Sequence, residues 1–222
     1  MQNFLAHLRS SPDGAVFNPW YESDRDHDQD PGAPSIRREH LYWYLENRRQ
    51  RATHLLIGEA IGYQGGHFSG IPMTSERILL GQKQSAGIDP NEVFNGVMPR
   101  RTSDPAVKSR GFTENTATIV WKALRTNDID PYSIILWNTF PWHPYDAERG
   151  LLSNRTPTGE EFAAGRPHLE QFLELYRDCT PVALGRHARQ QLRDLGCQCA
   201  HLRHPAHGGA PEFRAGLRKL FS

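Results

Sequence analysis

The stretch Thr53–Arg77 reads THLLIGEAIGYQGGHFSGIPMTSER. An apolar run gives way to a segment with glycines at 58, 62, 65, 66 and 70, and its first carboxylate is Glu59. Such a group can act as a base, a countercharge or a hydrogen-bond acceptor. Further along, YSIILWN ends a second apolar run in Asn138, whose amide both donates and accepts. Near the C-terminus, HLRHPAHGG offers His204 and His207, imidazoles that exchange protons near neutral pH. The glycine spacing matches neither the dinucleotide pattern G-x-G-x-x-G nor the mononucleotide loop G-x-x-x-x-G-K-[ST]. Taken alone, the glycine segment also reads as a structural turn. Asn138 alone also reads as the cap of a strand end or turn, and His204 alone as a packed or solvated loop histidine.

For carboxylate, amide and imidazole to meet, they must stand at the same ends of neighbouring strands. The sequence supplies four candidate strands: 54–57, 132–138, PVALG at 181–185 and CQCAHLRH at 197–204. Helical patterns separate them. IRREHLYWYLENRRQ at 36–50 is amphipathic. TSERILLGQKQ starts a helix that Thr74 or Ser75 can cap. ENTATIVWKALR at 114–125 is helical, and 160–178 is one long helix or a pair broken near Gly165-Arg166-Pro167. RHARQQLRDLG ends at the C′-type glycine Gly196, and PEFRAGLRKLF closes the chain. Alternating strands and helices predict an α/β protein, a single-domain three-layer α/β/α sandwich with a central, mostly parallel four-stranded sheet. Ligands of such sheets bind outside the carboxyl ends of the strands, where Glu59, Asn138, His143, His204 and His207 all fall. Trp43, Trp121 and Trp137 sit on apolar faces and are expected in the core, while His67 carries no assignment.

Residues 1–35, with the acidic and proline-ended ESDRDHDQDPGAP, are expected as an N-terminal arm or extended segment outside a domain at 36–222. No apolar run approaches the roughly 18 residues of a membrane helix, and MQNFLAHLRSSPDG does not read as a signal peptide. Cys179, Cys197 and Cys199 make no disulfide framework, so a reducing, cytoplasmic setting is expected. In CQCAHLRH, Cys197, Cys199 and His201 share one strand face; they read as packed rather than liganded, and no metal is expected. The net charge of +1 is uneven. Residues 186–222 hold seven Lys/Arg against two acids, and the first fifty hold six against eight. A basic C-terminal end is a mild pointer to a phosphate-rich partner.

Three stretches together carry a family resemblance. GEAIGYQG resembles the first active-site motif of the uracil-DNA glycosylase superfamily, often GEAPG there. IILWN resembles its second strand, which ends in a base-reading asparagine, and LRHPAHGGAPEFRAGL resembles its last motif. They occur in the family's order and span roughly residues 50–220. The resemblance implies a base-flipping enzyme acting on DNA. Glu59 would orient water and steady the oxocarbenium-like sugar, and His204 would donate to the departing base. Asn138 would read the pyrimidine edge, with Gly58, Ala60, Ile61, Tyr63 and Met73 around the base. Thr74 and Ser75 would bind flanking phosphates, and Arg100, Arg101, Lys108, Arg110, His207, Gly208 and Gly209 the rest of the DNA. The glycines would let backbone N–H groups approach the extruded nucleotide.

Two positions depart from the family pattern. Ile61 stands where proline is usual, and Met73 where a stacking aromatic is common, which puts a plain uracil specificity in doubt. No lysine lies in the three motifs, so a hydrolytic rather than a lyase reaction is expected. Three cysteines cannot supply the four thiolates of the iron–sulfur branches, so no cofactor is expected. The enzyme is expected to act as a monomer, with no membrane partner. Three readings stay open: a repair glycosylase for uracil or another deaminated base; one that excises a bulky, even glucosylated, cytosine from phage DNA as defence; and a non-catalytic DNA-binding module. A hydrolase or transferase for small nucleotides would use the same sheet ends.

Overall fold

In the computed structural model, residues 1–221 are described. The chain opens with α1 (Gln2–His7), β1 (Val16–Phe17) and α2 (Ala33–Glu46), then enters β2 (His54–Gly58). Two short helices follow, α3 (Gly66–Ser69) and α4 (Glu76–Leu79), and then α5 (Asn115–Thr126). Strands β3 (Ile134–Asn138) and β4 (His143–Pro144) lead to α6 (Gly159–Leu175). The chain ends with β5 (Thr180–Leu184), α7 (Arg186–Asp194), β6 (Ala200–Leu202) and α8 (Ala210–Phe221).

Strands β2, β3, β5 and β6 form one sheet in the order β3-β2-β5-β6, every pair parallel. The expected α/β sheet is therefore present, wholly parallel among its four strands. Leu55–Ile57 and Ile134–Trp137 are buried at every position, as uninterrupted apolar runs are when a sheet is covered on both faces. Helix α1 packs against both α2 and α6, while α5 packs with α8 and α7 lies on β5. Register decides where the chemistry falls: Gly58 pairs with Asn138, and Ile57 with both Trp137 and Ala183. The exits of β2 and β3 thus lie side by side.

Several elements differ from the sequence expectation. Residues 1–35 are no extended arm. Phe4, Leu5, Leu8 and Trp20 are buried in the main core, and β1 pairs antiparallel with β4. Trp137 is packed between Phe172, 4.5 Å away, and Trp20, 6.1 Å away, both nearly parallel to it. Arg37, fully buried, holds the acidic stretch by a two-pronged pair with Asp28 at 2.7 and 3.1 Å. Acidic composition reads as solvated surface, but here it supplies partners for buried cations and imidazoles. Trp121 and Trp137 are core as expected, whereas Trp43 is only partly buried.

Helix α6 runs unbroken through Pro167. A capping box starts it, with Thr158 and Glu161 each accepting the other's backbone N–H, and Leu169 and Phe172 anchor its second half. Neither Thr74 nor Ser75 caps α4 through its side chain. The fourth strand covers only Ala200–Leu202, so Cys197 and Cys199 precede it rather than alternating along it with His201. No described helix is long and apolar enough to cross a membrane.

Candidate functional site

Glu59 follows β2 directly, and its backbone is held by the exit of β3. Its carbonyl accepts from Phe140 N–H at 2.9 Å and from Thr139 Oγ1 at 3.0 Å. Two residues on, Ile61 N–H donates to Trp142 O at 3.2 Å. The side chain is free to face outward, with 32% of its surface exposed. Its Oε2 accepts a hydrogen bond from Nδ1 of His187, in the first turn of α7. His187 was not anticipated. The strand-end rule had a place for it, two residues past PVALG, but no motif drew attention there.

His204 lies in the loop after β6, with Gly185 at the exit of β5 making room for it. A Cβ on Gly185, whose φ is +89°, would sit 3.3 Å from the His204 Cβ. Nδ1 of His204 accepts the Ala206 N–H at 3.2 Å. The ring proton is thereby placed on Nε2, which becomes a donor. Burial pushes its affinity for a second proton down, partly offset by the Glu59 carboxylate. His204 is therefore a neutral N–H donor at pH 7.

Asn138 is buried, and its Nδ2 has no hydrogen-bond partner. A sealed, unpaired amide costs about 1–3 kcal/mol, recovered if a ligand supplies an acceptor. Gly58 is glycine because of it: an added Cβ would lie 2.7 Å from Asn138 Oδ1 and 3.5 Å from the Met73 sulfur. Met73 is buried and has a φ of +49°, an uncommon conformation for a residue other than glycine. Asn138, Gly58 and Met73 thus form one buried cluster next to Glu59 in the fold.

A cleft of about 590 Å³ opens over these strand ends. It is lined by Glu59, Ala60, Ile61, Gly62, His204 and His207, and also by residues outside the three motifs. Arg155, Arg186, His187, His201 and Arg203 give it a basic rim. Asn154, also in the wall, accepts from Tyr63 N–H at 2.9 Å and fixes the glycine segment. Glu114, the residue before α5, adds a second carboxyl group. Its Oε2 is sealed and unpartnered, and burial pushes its pKa up to about 7. Among the described residues no group of three or more His, Cys, Asp or Glu is placed to hold a metal ion.

Some expected contacts fall elsewhere. Thr74 and Ser75 are fully buried, and Thr74 Oγ1 accepts from the Trp121 indole at 3.1 Å. They face the interior, away from any phosphate. Arg100, Arg101, Lys108 and Arg110 do not line this cleft. Buried Glu76 organises their loop by accepting Thr102 N–H at 2.8 Å and Ser103 N–H at 2.9 Å, while Arg101 donates to loop carbonyls, including Ser103 O and Ser109 O at 2.8 Å. Gly65, Gly66 and Gly70 are buried: Gly65 and Gly66 admit neighbouring side chains and Gly70 the backbone of Arg37, so they do not present N–H groups to a ligand. His143 is buried in a polar chain with His67 and does not reach the crevice. His207 and Gly208 are exposed beside the cleft, whereas Gly209 is buried.

The fold is similar to that of a solved structure, wild-type SMUG2 of Pedobacter heparinus. The TM-score is 0.59 at 14% identity, covering 96% of this chain and 89% of that one. No curated protein matches the sequence. A model of the uracil DNA glycosylase superfamily matches residues 47–216, from the end of α2 into α8, taking in Glu59, Asn138 and His204. With that span, and with the three residues at the carboxyl ends of strands of one parallel sheet, the chain belongs to the uracil DNA glycosylase superfamily.

Proposed function

We propose that the protein is a monofunctional DNA glycosylase that extrudes a nucleotide, hydrolyses its N-glycosidic bond and leaves an abasic site in an intact strand. The carrying observation is that Glu59 and a neutral, Nε2-protonated His204 line one basic-rimmed cleft, with buried Asn138 in register with Gly58, the residue before Glu59. Cleavage of the C–N bond leaves positive charge on the sugar and negative charge on an oxygen of the base. Glu59, aligned by His187, is suited to steady the sugar and to orient the attacking water. His204 Nε2–H is suited to stabilise the base oxygen as charge builds there, since a fixed donor costs no reorganisation at that moment. The unpaired Nδ2 of Asn138 calls for an acceptor, such as a carbonyl on a pyrimidine edge. No lysine lines the cleft among the described residues, which supports hydrolysis over Schiff-base chemistry.

Uracil or another deaminated base is the first substrate class. A bulkier base is the second, a glucosylated hydroxymethylcytosine of phage DNA. Met73 supports it, because a flexible thioether gives a softer floor than an aromatic ring. The test is release of base from duplexes carrying uracil or hypoxanthine and from phage DNA with glucosylated hydroxymethylcytosine. Abasic sites are read by alkaline cleavage, with Glu59→Gln and His204→Ala in parallel. Cleavage of any substrate that both variants lose supports the proposal and names the base. DNA binding with no cleavage of any of them overturns it in favour of a binding module.

A further inference from the structure

Glu114 is used by nothing described so far. It comes from the start of α5, yet its side chain makes no capping bond to the helix. Its carboxyl group lies against the glycine segment instead. An added Cβ on Gly65 would sit 2.1 Å from Oε2, and one on Gly62 would sit 3.4 Å from Oε1. Only glycine at 65 admits the carboxyl group there, so loop and side chain fit each other.

Oε2 is sealed and has no donor within reach, whereas the residue as a whole is partly exposed and lines the cleft. Ionisation would leave half a charge on an oxygen that neither water nor protein solvates. As a neutral acid the group loses far less, and it can point its O–H from the other oxygen into the cleft. Burial accordingly raises its pKa to about 7. Bound DNA brings phosphate charge into the same space, and like charge disfavours ionisation further.

Resting on the glycosylase reading of this cleft, we propose that Glu114 is a second functional carboxyl group, which enters the complex as a neutral acid and donates a hydrogen bond to an oxygen of the extruded nucleotide. The acceptor is a base carbonyl or an oxygen of the sugar–phosphate. Glu59 and Glu114 then divide the work as two carboxyl groups in unlike surroundings do. The half-exposed one, paired with His187, bears charge, and the sealed one holds a proton. DNA binding is coupled to retention of that proton.

Other charged groups share the cleft: Glu59 after β2, Arg155 before α6, Arg186 on α7 and Arg203 on β6's exit. Four histidines, His187, His201, His204 and His207, also face it, so a variant must isolate Glu114 from them. The experiment measures the Kd of a labelled duplex with one uracil, and of the same duplex with a tetrahydrofuran abasic analogue, from pH 6 to 9. It uses wild type and Glu114→Gln, which keeps a neutral donor. Wild-type binding is expected to weaken above pH 7 by up to about tenfold per pH unit, one proton's worth. Glu114→Gln should lose that limb while binding as tightly at pH 6.5. A difference seen on both duplexes assigns the acceptor to the sugar–phosphate, and one seen only with uracil assigns it to the base. Identical pH profiles for the two proteins overturn the inference and leave the glycosylase reading standing. No binding of either duplex at any pH overturns the reading itself. Should Glu114→Gln fail to fold, calorimetry of wild type at pH 8 in buffers of different ionisation enthalpy decides. Uptake of close to one proton on binding is expected, and none overturns the inference.

Discussion

Two clusters in this molecule use the same side chains, carboxylates and imidazoles, to opposite ends. Beneath β4, Asp24 accepts from His27 at 2.9 Å and contacts His67 Nε2 at 3.0 Å. His67 Nδ1 meets His143 Nδ1 at 3.0 Å, and His143 Nε2–H donates to Ser153 O at 2.8 Å. Asp24, His67 and His143 are all fully buried, and their hydrogen-bonding positions are taken. Over the sheet ends, by contrast, Glu59 and His187 are half-exposed, while Asn138 Nδ2 and Glu114 Oε2 have no partner. Where every lone pair is occupied, the cluster holds the chain together. Where donors and acceptors are left over, the fold bears a cost that a ligand can relieve.

The buried chain can be read proton by proton. His143 donates through Nε2, so in its neutral form its Nδ1 accepts, and His67 must donate through Nδ1. His67 Nε2 then faces Asp24 across a hydrogen bond that needs a second proton. Burial lowers the proton affinity of His67 and the Asp24 carboxylate opposite pulls against it, so that hydrogen bond depends on a proton the two groups contest. The largest effect follows: Asp24→Ala should cost about 3–5 kcal/mol in urea unfolding, because it strands imidazoles in the interior. Asp24→Asn, whose amide supplies an N–H to a neutral His67, should recover more than half of that. Equal losses in the two variants would sink the proton count.

Breaking the open cluster should do the reverse. Glu59→Gln or His204→Ala is expected to slow base release by about 10²–10³-fold, roughly 2.7–4 kcal/mol of barrier, with the urea midpoint nearly unchanged. A variant that loses stability in step with activity would move these residues into the structural class. Gly58→Ala sits between the two clusters in kind. Its methyl group would press on Asn138 and Met73, so a loss of about 1–3 kcal/mol should accompany loss of base reading. Unchanged activity there would show that Asn138 does not need its present position.

The contrast also marks what sequence could disclose. The strands were legible because long apolar runs broken by glycine are what a two-faced parallel sheet requires. Glu59 was legible because it directly follows such a run and Asn138 because it ends one, whereas His204, two residues past the short β6, was legible only through its His-Pro motif. Glu114 was not, since ENTATIVW reads only as the start of a helix and its neighbours are glycines far earlier in the chain. His187 is 128 residues from Glu59, and only the order of strands brings them together. Thr74 and Ser75 misled because a hydroxyl beside a glycine segment suggests a phosphate, whereas packing of Trp121 had already claimed Thr74. The acidic stretch misled most: composition suggested solvent, but its partners, His67 and Arg37, are buried.

An effect that vanishes at neutral pH concerns a third histidine, which sharpens the comparison because it stands alone. His40 Nδ1–H donates to Ser69 O at 3.0 Å, and Nε2 accepts Arg100 N–H at 3.1 Å. The ring is thus fixed neutral, and a proton on Nε2 would meet another N–H head-on. Burial pushes its pKa down to about 4, against an ordinary value of 6.5. Between those values the unfolded chain binds the proton and the folded one does not, so acid favours unfolding. The stability is fully present above pH 6.5 and is lost as pH falls toward 4, by at most about 3 kcal/mol. Urea midpoints measured at pH 7, 5.5 and 4.5 should fall in that order. His40→Gln, which can donate and accept in the same two directions but does not titrate, should flatten the fall. If the slope survives that substitution, the acid sensitivity belongs to the Asp24–His67–His143 chain, and the sealed cluster rather than the isolated ring sets the limit.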